Sequence, residues 1–133
     1  MRVLAAPDKF KGTATAHEVA RTIALACAER SVDCTKIPLA DGGDGLLEVL
    51  GGPNRISTVT GPLGGPVEAG WRLHRDTAVI EMARASGLIL AGGCNGNDPL
   101  AATTTGTGQL IDQALDLGAR RIIVGLGGSA STD

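Results

Sequence analysis

No tyrosine occurs in the 133 residues, and Phe10 and Trp71 are the only aromatic side chains. Basic clustering is absent as well: 12 basic and 14 acidic residues are scattered to a net charge of −2, so no basic stripe is present and no nucleic-acid partner is expected. The three cysteines, Cys27, Cys34 and Cys94, are odd in number and lack CxxC spacing. That fits a reducing compartment better than a disulfide framework or a zinc site, and buried thiols are expected. No apolar run reaches the ~18 residues of a membrane helix, and the first residues lack a signal-peptide pattern, so the expected location is cytoplasmic with no membrane partner. Neither a G-x-x-x-x-G-K-[ST] phosphate loop nor a G-x-S-x-G serine-hydrolase elbow occurs. His17 and His74 stand apart from any partner that would make a catalytic pair or a metal site.

Glycine, in contrast, is abundant, at 20 residues, and 43% of the chain is hydrophobic. The glycines lie in clusters beside apolar runs without a three-residue period, which indicates tight turns and binding loops within one globular α/β piece. Arg2 to Ala6 reads as a buried strand ended by Pro7. Thr15 and Glu18 have capping-box spacing, and Val19, Ile23, Ala26 and Cys27 follow on one helical face to about Arg30. Cys34 to Leu39 then closes a β-loop-α-β unit of the parallel kind, and Leu46 to Leu50 suggests a brief helix.

The texture changes at Pro53. Arg55 to Thr60, Val67 to His74 and Thr77 to Met82 read as three antiparallel strands between Gly-Pro turns. They form an edge meander or the start of an inserted second subdomain, of which the insert is preferred. A short helix over Ala83 to Leu90, a loop over Gly92 to Pro99, an amphipathic helix around Leu110 to Leu115 ended by Gly118, and a strand from Arg121 to Leu126 complete the pattern. The expected fold class is α/β: a Rossmann-like parallel sheet begun by residues 1–52, with 53–133 as a strand-rich segment and a helix-strand unit of a second domain. A further helix is expected after Asp133, so these residues are expected to be the opening part of a longer pattern.

Four segments can carry chemistry. Asp8-Lys9-Phe10-Lys11-Gly12 follows the first strand, where ligands sit in open α/β sheets, and Lys9 and Lys11 suit phosphate oxygens; otherwise it is a solvated loop. Asp41-Gly42-Gly43-Asp44-Gly45 follows the second strand. Its carboxylates suit Mg²⁺ or proton acceptance, unless Asp44 merely caps the next helix. Thr103-Thr104-Thr105-Gly106-Thr107-Gly108 places hydroxyls and glycines before a helix, for anion binding or simple capping. Finally, Gly125-Leu126-Gly127-Gly128-Ser129-Ala130 matches G-x-G-x-x-A after a strand, a phosphate site or a dinucleotide fingerprint.

Taken in order, five stretches resemble the motifs of the glycerate kinase family, the bacterial type acting on D-glycerate. They are Ala6 to Gly12, Ala40 to Gly45, Ala85-Ser86-Gly87-Leu88, Asn97-Asp98-Pro99-Leu100 through Gly108, and Gly127 to Asp133. Leu46 and Thr105 depart from residues common in that family. The resemblance implies two α/β domains with the active site in the cleft between them, with Mg²⁺, ATP and D-glycerate as cofactor and substrates. It assigns catalytic roles to Lys9, Asp41, Asp44 and Asp133, with Asp41 and Asp44 as metal ligands. Phosphate or substrate binding falls to Lys11, Gly42, Gly43, Thr104, Gly106, Gly127, Gly128 and Ser129. The rival readings are a truncated anion-binding or interaction module whose open sheet edge favours self-association, and a dinucleotide-binding oxidoreductase.

Overall fold

A capping box opens the first helix, as the spacing predicts. In the computed structural model, which describes residues 1–132, Glu18 N–H donates to Thr15 Oγ1 at 3.2 Å and Thr15 N–H donates to Glu18 Oε2 at 2.8 Å. The chain divides into two compact units, residues 1–41 and 42–133.

In the first unit, β1 (Arg2–Ala5) crosses through α1 (Ala16–Ala28) to β2 (Asp33–Lys36), which pairs with it in parallel from Arg2↔Asp33 to Ala5↔Lys36. Ala16 and Ala20 are buried, and Val19, Ile23 and Cys27 are half-buried on the same face. Ala26, expected on that face, is exposed, because the stripe runs through positions 16, 20, 23 and 27 and leaves position 26 outside it. β2 is shorter than expected, yet Ile37 N–H donates to Ala5 O and Leu39 N–H to Pro7 O, so the segment to Leu39 still tracks the first strand.

The second unit begins with α2 (Leu46–Val49) and builds a four-stranded sheet in the order β3 (Arg55–Thr60), β4 (Pro66–His74), β5 (Thr77–Glu81), β6 (Arg121–Gly125). The β3-β4 and β4-β5 pairs are antiparallel and β5-β6 is parallel, so this is a mixed sheet in an α/β fold. The meander and the later helix-strand unit thus share one sheet. α5 (Thr105–Asp116) connects toward β6 and buries Leu110 and Ala114 with Val59, Trp71, Ile80 and Ala85. Each large side chain so buried contributes about 1.5–3 kcal/mol. The Trp71 indole N–H is satisfied by Ser57 Oγ at 3.0 Å, and Ser57 donates in turn to Gln113 Oε1 on α5 at 2.6 Å. A buried aromatic with a polar edge is thereby tied to strand and helix together.

Gly118, at φ 87°, ends α5 as expected: its N–H donates to Leu115 O and Ala119 N–H to Ala114 O, the two bonds of a Schellman motif. Two sequence expectations fail after β5. The helix stops early, as α3 (Ala83–Ser86), because Gly87 is extended at φ −83° and ψ 152° and bridges to Ser129. The expected loop from Gly92 to Pro99 holds one helical turn, α4 (Gly93–Gly96), entered through left-handed Gly92. The cysteines also differ from expectation: Cys94 is exposed, and Cys27 and Cys34 are half-buried.

Candidate functional site

In the first unit, chemistry gathers after the strands. Lys9 Nζ lies 3.1 Å from Asp41 Oδ1 and 3.8 Å from Asp8 Oδ1. The pairing of Leu39 with Pro7 extends the strand register and brings Asp41 alongside this lysine. The Lys9 side chain is 15% exposed and that of Asp41 61%, so the ammonium is sheltered while the carboxylate faces solvent. Lys11 is exposed in the following turn, which a Phe10–Ala14 bridge closes.

The second unit assembles the other four motif segments around residues 125–131. Two of the predicted loops meet glycine to glycine. A Cβ on Gly125 would sit 2.4 Å from the Gly42 carbonyl oxygen, and one on Gly127 would sit 2.6 Å from Gly43 Cα. Only hydrogen at these positions allows such backbone approach. Asp44 reaches the same place, its Oδ1 being 3.8 Å from where a Gly128 Cβ would lie. The Ala85-Ser86-Gly87-Leu88 segment holds the loop from another side: Leu88 N–H donates to Gly128 O at 2.8 Å and Ala130 N–H to Ser86 O at 3.0 Å. Asn97 adds a side-chain brace, its Nδ2 donating to Ala130 O at 2.6 Å. Ser129 Oγ accepts from Ser131 N–H at 3.1 Å and lies 3.0 Å from Ser131 Oγ, which turns the chain sharply.

An open cleft of about 740 Å³ lies against this loop, lined by Gly127, Gly128, Ser129, Thr104, Thr107 and Gly108 among others. It therefore joins the fourth and fifth motifs. Thr104 makes no side-chain cap bond at the start of α5; Thr103 Oγ1 instead accepts from Thr105 N–H at 3.2 Å. Gly106 has a different setting. It is buried, and a Cβ there would lie 2.0 Å from Thr60 O, so its lack of a side chain lets α5 press onto β3. Asp133 lies outside the described residues.

Among the described residues, no group of three or more His, Cys, Asp or Glu side chains is placed to hold a metal ion. Asp41 is engaged with Lys9, and Asp44 Oδ1 lies near Gly128. Among the described residues, Asp41 and Asp44 are two oxygen-donor side chains, of the type that suits Mg²⁺, without forming a cage by themselves.

Sequence reasoning missed Glu81. It is 3% exposed at the end of β5, and its Oε2 accepts from Gly45 N–H at 3.2 Å and Leu47 N–H at 3.0 Å. The signal was present as an acid within the apolar run Val79-Ile80-Glu81-Met82, where a buried charge requires partners.

The glycerate kinase family model matches residues 3–133. Glycerate 2-kinase of Escherichia coli K12 and glycerate kinase of Bacillus subtilis 168 are each 45% identical over 141 residues, covering 100% of this chain and 37% of their own length. A crystal structure assigned as glycerate kinase 2 from Salmonella typhimurium LT2 superposes with a TM-score of 0.81 at 43% identity, covering 100% of this chain and 38% of that one. The chain thus spans a little over a third of the length of the curated relatives it matches. With the family model matched from residue 3 to residue 133 and relatives 45% identical along the whole chain, the chain belongs to the glycerate kinase family.

Proposed function

We propose that this chain carries part of the site of an ATP-dependent glycerate kinase, which moves the γ-phosphoryl group of ATP to a hydroxyl of D-glycerate and yields a phosphoglycerate. The 2-phosphate is the product favoured by the name of the Escherichia coli relative. The observation that carries the reading is the convergence of three motif segments on a fourth, the turn at residues 125–131, beside a cleft at the start of α5.

Phosphoryl transfer needs alignment and charge neutralisation more than covalent chemistry. The backbone N–H groups around Gly127, Gly128 and Ser129, together with the first turn of α5 near Thr104, suit phosphate oxygens or the glycerate carboxylate. Lys9 and Lys11 supply positive charge for the same kind of oxygen. Asp41 or Asp44 takes the proton as the substrate oxygen bonds to phosphorus and the bond to ADP breaks. Gly42 and Gly43 contribute through the close packing that sets Asp44 in place, and Mg²⁺ enters with ATP as part of that substrate.

The finer architecture belongs to the same proposal. Residues 1–52 begin a Rossmann-like domain and 53–133 contribute to a second one in the longer family pattern. The unpaired thiols fit a cytoplasmic setting. In the described residues, no helix is long and apolar enough to cross a membrane.

D-glycerate-dependent ADP formation from Mg-ATP, measured on a chain of full family length carrying these residues, tests the reading. Turnover that falls at least 10²-fold in Asp44→Asn is the expected result, on the order of magnitude of losing a positioned proton acceptor. Turnover that ignores D-glycerate, or survives that change, would overturn it.

A further inference from the structure

The buried carboxylate of Glu81 stands at a junction that no part of the phosphate chemistry explains. β5 and β6 end together at the pair Glu81↔Gly125, and Met82 N–H donates to Gly125 O at 3.1 Å. From that junction Glu81 reaches across to the Gly42–Gly45 loop. Its Oε2 accepts both Gly45 N–H and Leu47 N–H, the groups that open α2. Its Oε1 lies 3.4 Å from Arg84 Nε, and Arg84 Nη2 donates to Glu48 on α2 itself. The Glu48 and Glu81 carboxylates therefore share one guanidinium, and both ends of the network hold the same short segment.

A turn of four helical residues has almost no stability of its own, since nucleation is the costly step. The loop before it contains two left-handed glycines, Gly42 at φ 95° and Gly45 at φ 99°, which have more alternative conformations than any other residue. Something outside the segment must choose one of them. A carboxylate buried at 3% exposure is costly without partners, and here they are the two amides of that turn, with Arg84 Nε at ion-pair distance but not hydrogen-bonded. Moving the loop would strand the charge, so the buried acid selects the conformation in which Asp44 lies beside Gly128.

We infer that Glu81 is a positioning residue: held by Arg84, it locks the Gly42–Gly45 loop and so fixes the Asp44 carboxylate against the Gly127–Gly128 backbone. Its consequence for turnover rests on the kinase reading above; its effect on the loop does not. Glu81→Gln is the variant of choice, because it preserves shape and one acceptor oxygen while Arg84 keeps Glu48.

Residue-resolved amide exchange and D-glycerate-dependent ADP formation are measured side by side on the wild type and on this variant. Exchange at Gly45 and Leu47 is expected to accelerate about tenfold or more, the scale of one buried charge-assisted hydrogen bond, while amides of β4 and β5 keep their wild-type rates. Turnover is expected to fall on the order of 10²-fold with KM for ATP within about twofold, the signature of misalignment. Wild-type exchange rates at Gly45 and Leu47 overturn the inference. So does a uniform acceleration of all amides, which would make Glu81 a general stabiliser, and so does unchanged turnover in a variant whose loop has loosened. An inactive wild type sinks the kinase reading alone, and the exchange pattern then decides whether Glu81 locks the loop. Should Glu81→Gln not fold, Arg84→Met, which frees Glu81 Oε1 and also releases Glu48, leaves the two Oε2 hydrogen bonds in place and is expected to accelerate the same two amides to a smaller extent; no acceleration there overturns the inference.

Discussion

The ammonium of Lys9 sits 3.1 Å from the Asp41 carboxylate, an ion pair between residues 32 positions apart that links the first two motifs of the chain. Because the Asp41 carboxylate is 61% exposed, solvent screens the pair, and its worth to folding is no more than about 1 kcal/mol. On the kinase reading, the two charges serve a ligand more than they serve folding. Lys9→Ala and Asp41→Asn are therefore expected to shift the urea midpoint little, while under the proposed kinase function each lowers turnover of a chain of full family length by at least about 10²-fold. Denaturation curves and steady-state assays on the same samples check both halves.

Glycines in the candidate site fall into two groups that alanine can separate. A methyl on Gly127 would meet Gly43 Cα at 2.6 Å, so Gly127→Ala is expected to cost about 1–3 kcal/mol by forcing two backbones apart. Gly108 has nothing within 4 Å of its Cβ position and lies inside α5, so Gly108→Ala is expected to add about 0.5–1 kcal/mol of stability. Gly108 nonetheless lines the cleft. A more stable protein with weaker ATP binding, seen by thermal melting and nucleotide titration, is the outcome expected of a ligand-facing position.

The contrast between these loops and the regular elements shows what could be read from the residues. Local rules sufficed where the cause is local: Thr15 and Glu18 form their capping box, Gly118 ends α5, and β3 spans Arg55–Thr60 between its turns as expected. They failed where a distant partner decides. Gly87 leaves the helix because Ser129 offers it a bridge, and residues 42 positions apart make that choice. The four loops were legible as chemistry-bearing words, but the close approach of Gly42 and Gly43 to Gly125 and Gly127 depends on glycine contacts that no spacing reveals. Glu81 escaped notice for the same reason, since its partners at Gly45 and Leu47 lie more than 30 positions away.

Thiol chemistry should follow exposure and the pairing of the first two cysteines. Partial burial raises the Cys27 thiol above its ordinary range, and a hydrogen bond with Cys34 raises it further. Because the thiolate is the reactive form, Cys27 is expected to alkylate slowly at neutral pH. Cys94 is exposed and is expected to react first with iodoacetamide. Peptide mass mapping over time gives the order directly; modification of Cys27 ahead of Cys94 would contradict the packing of α1 on β2.

Acid should loosen the first unit through one identifiable carboxylate. The Thr15 backbone N–H, followed by the Thr15 hydroxyl, hydrogen-bonds the ionised Glu18 and lowers its pKa below the ordinary glutamate value. The folded state therefore binds its proton less readily than the unfolded state does. For a lowered folded pKa, the stabilisation is complete above the unfolded value and is lost as pH falls toward and through the folded one. Glu18→Gln removes the titrating group but keeps an oxygen acceptor for the capping box. Its urea midpoint is expected to lie below that of the wild type at neutral pH, with the gap closing as the solution is acidified through the carboxylate range. A gap that stays constant with pH would mean that the charge on Glu18 contributes nothing to the cap, leaving neutral hydrogen bonds to set the start of α1.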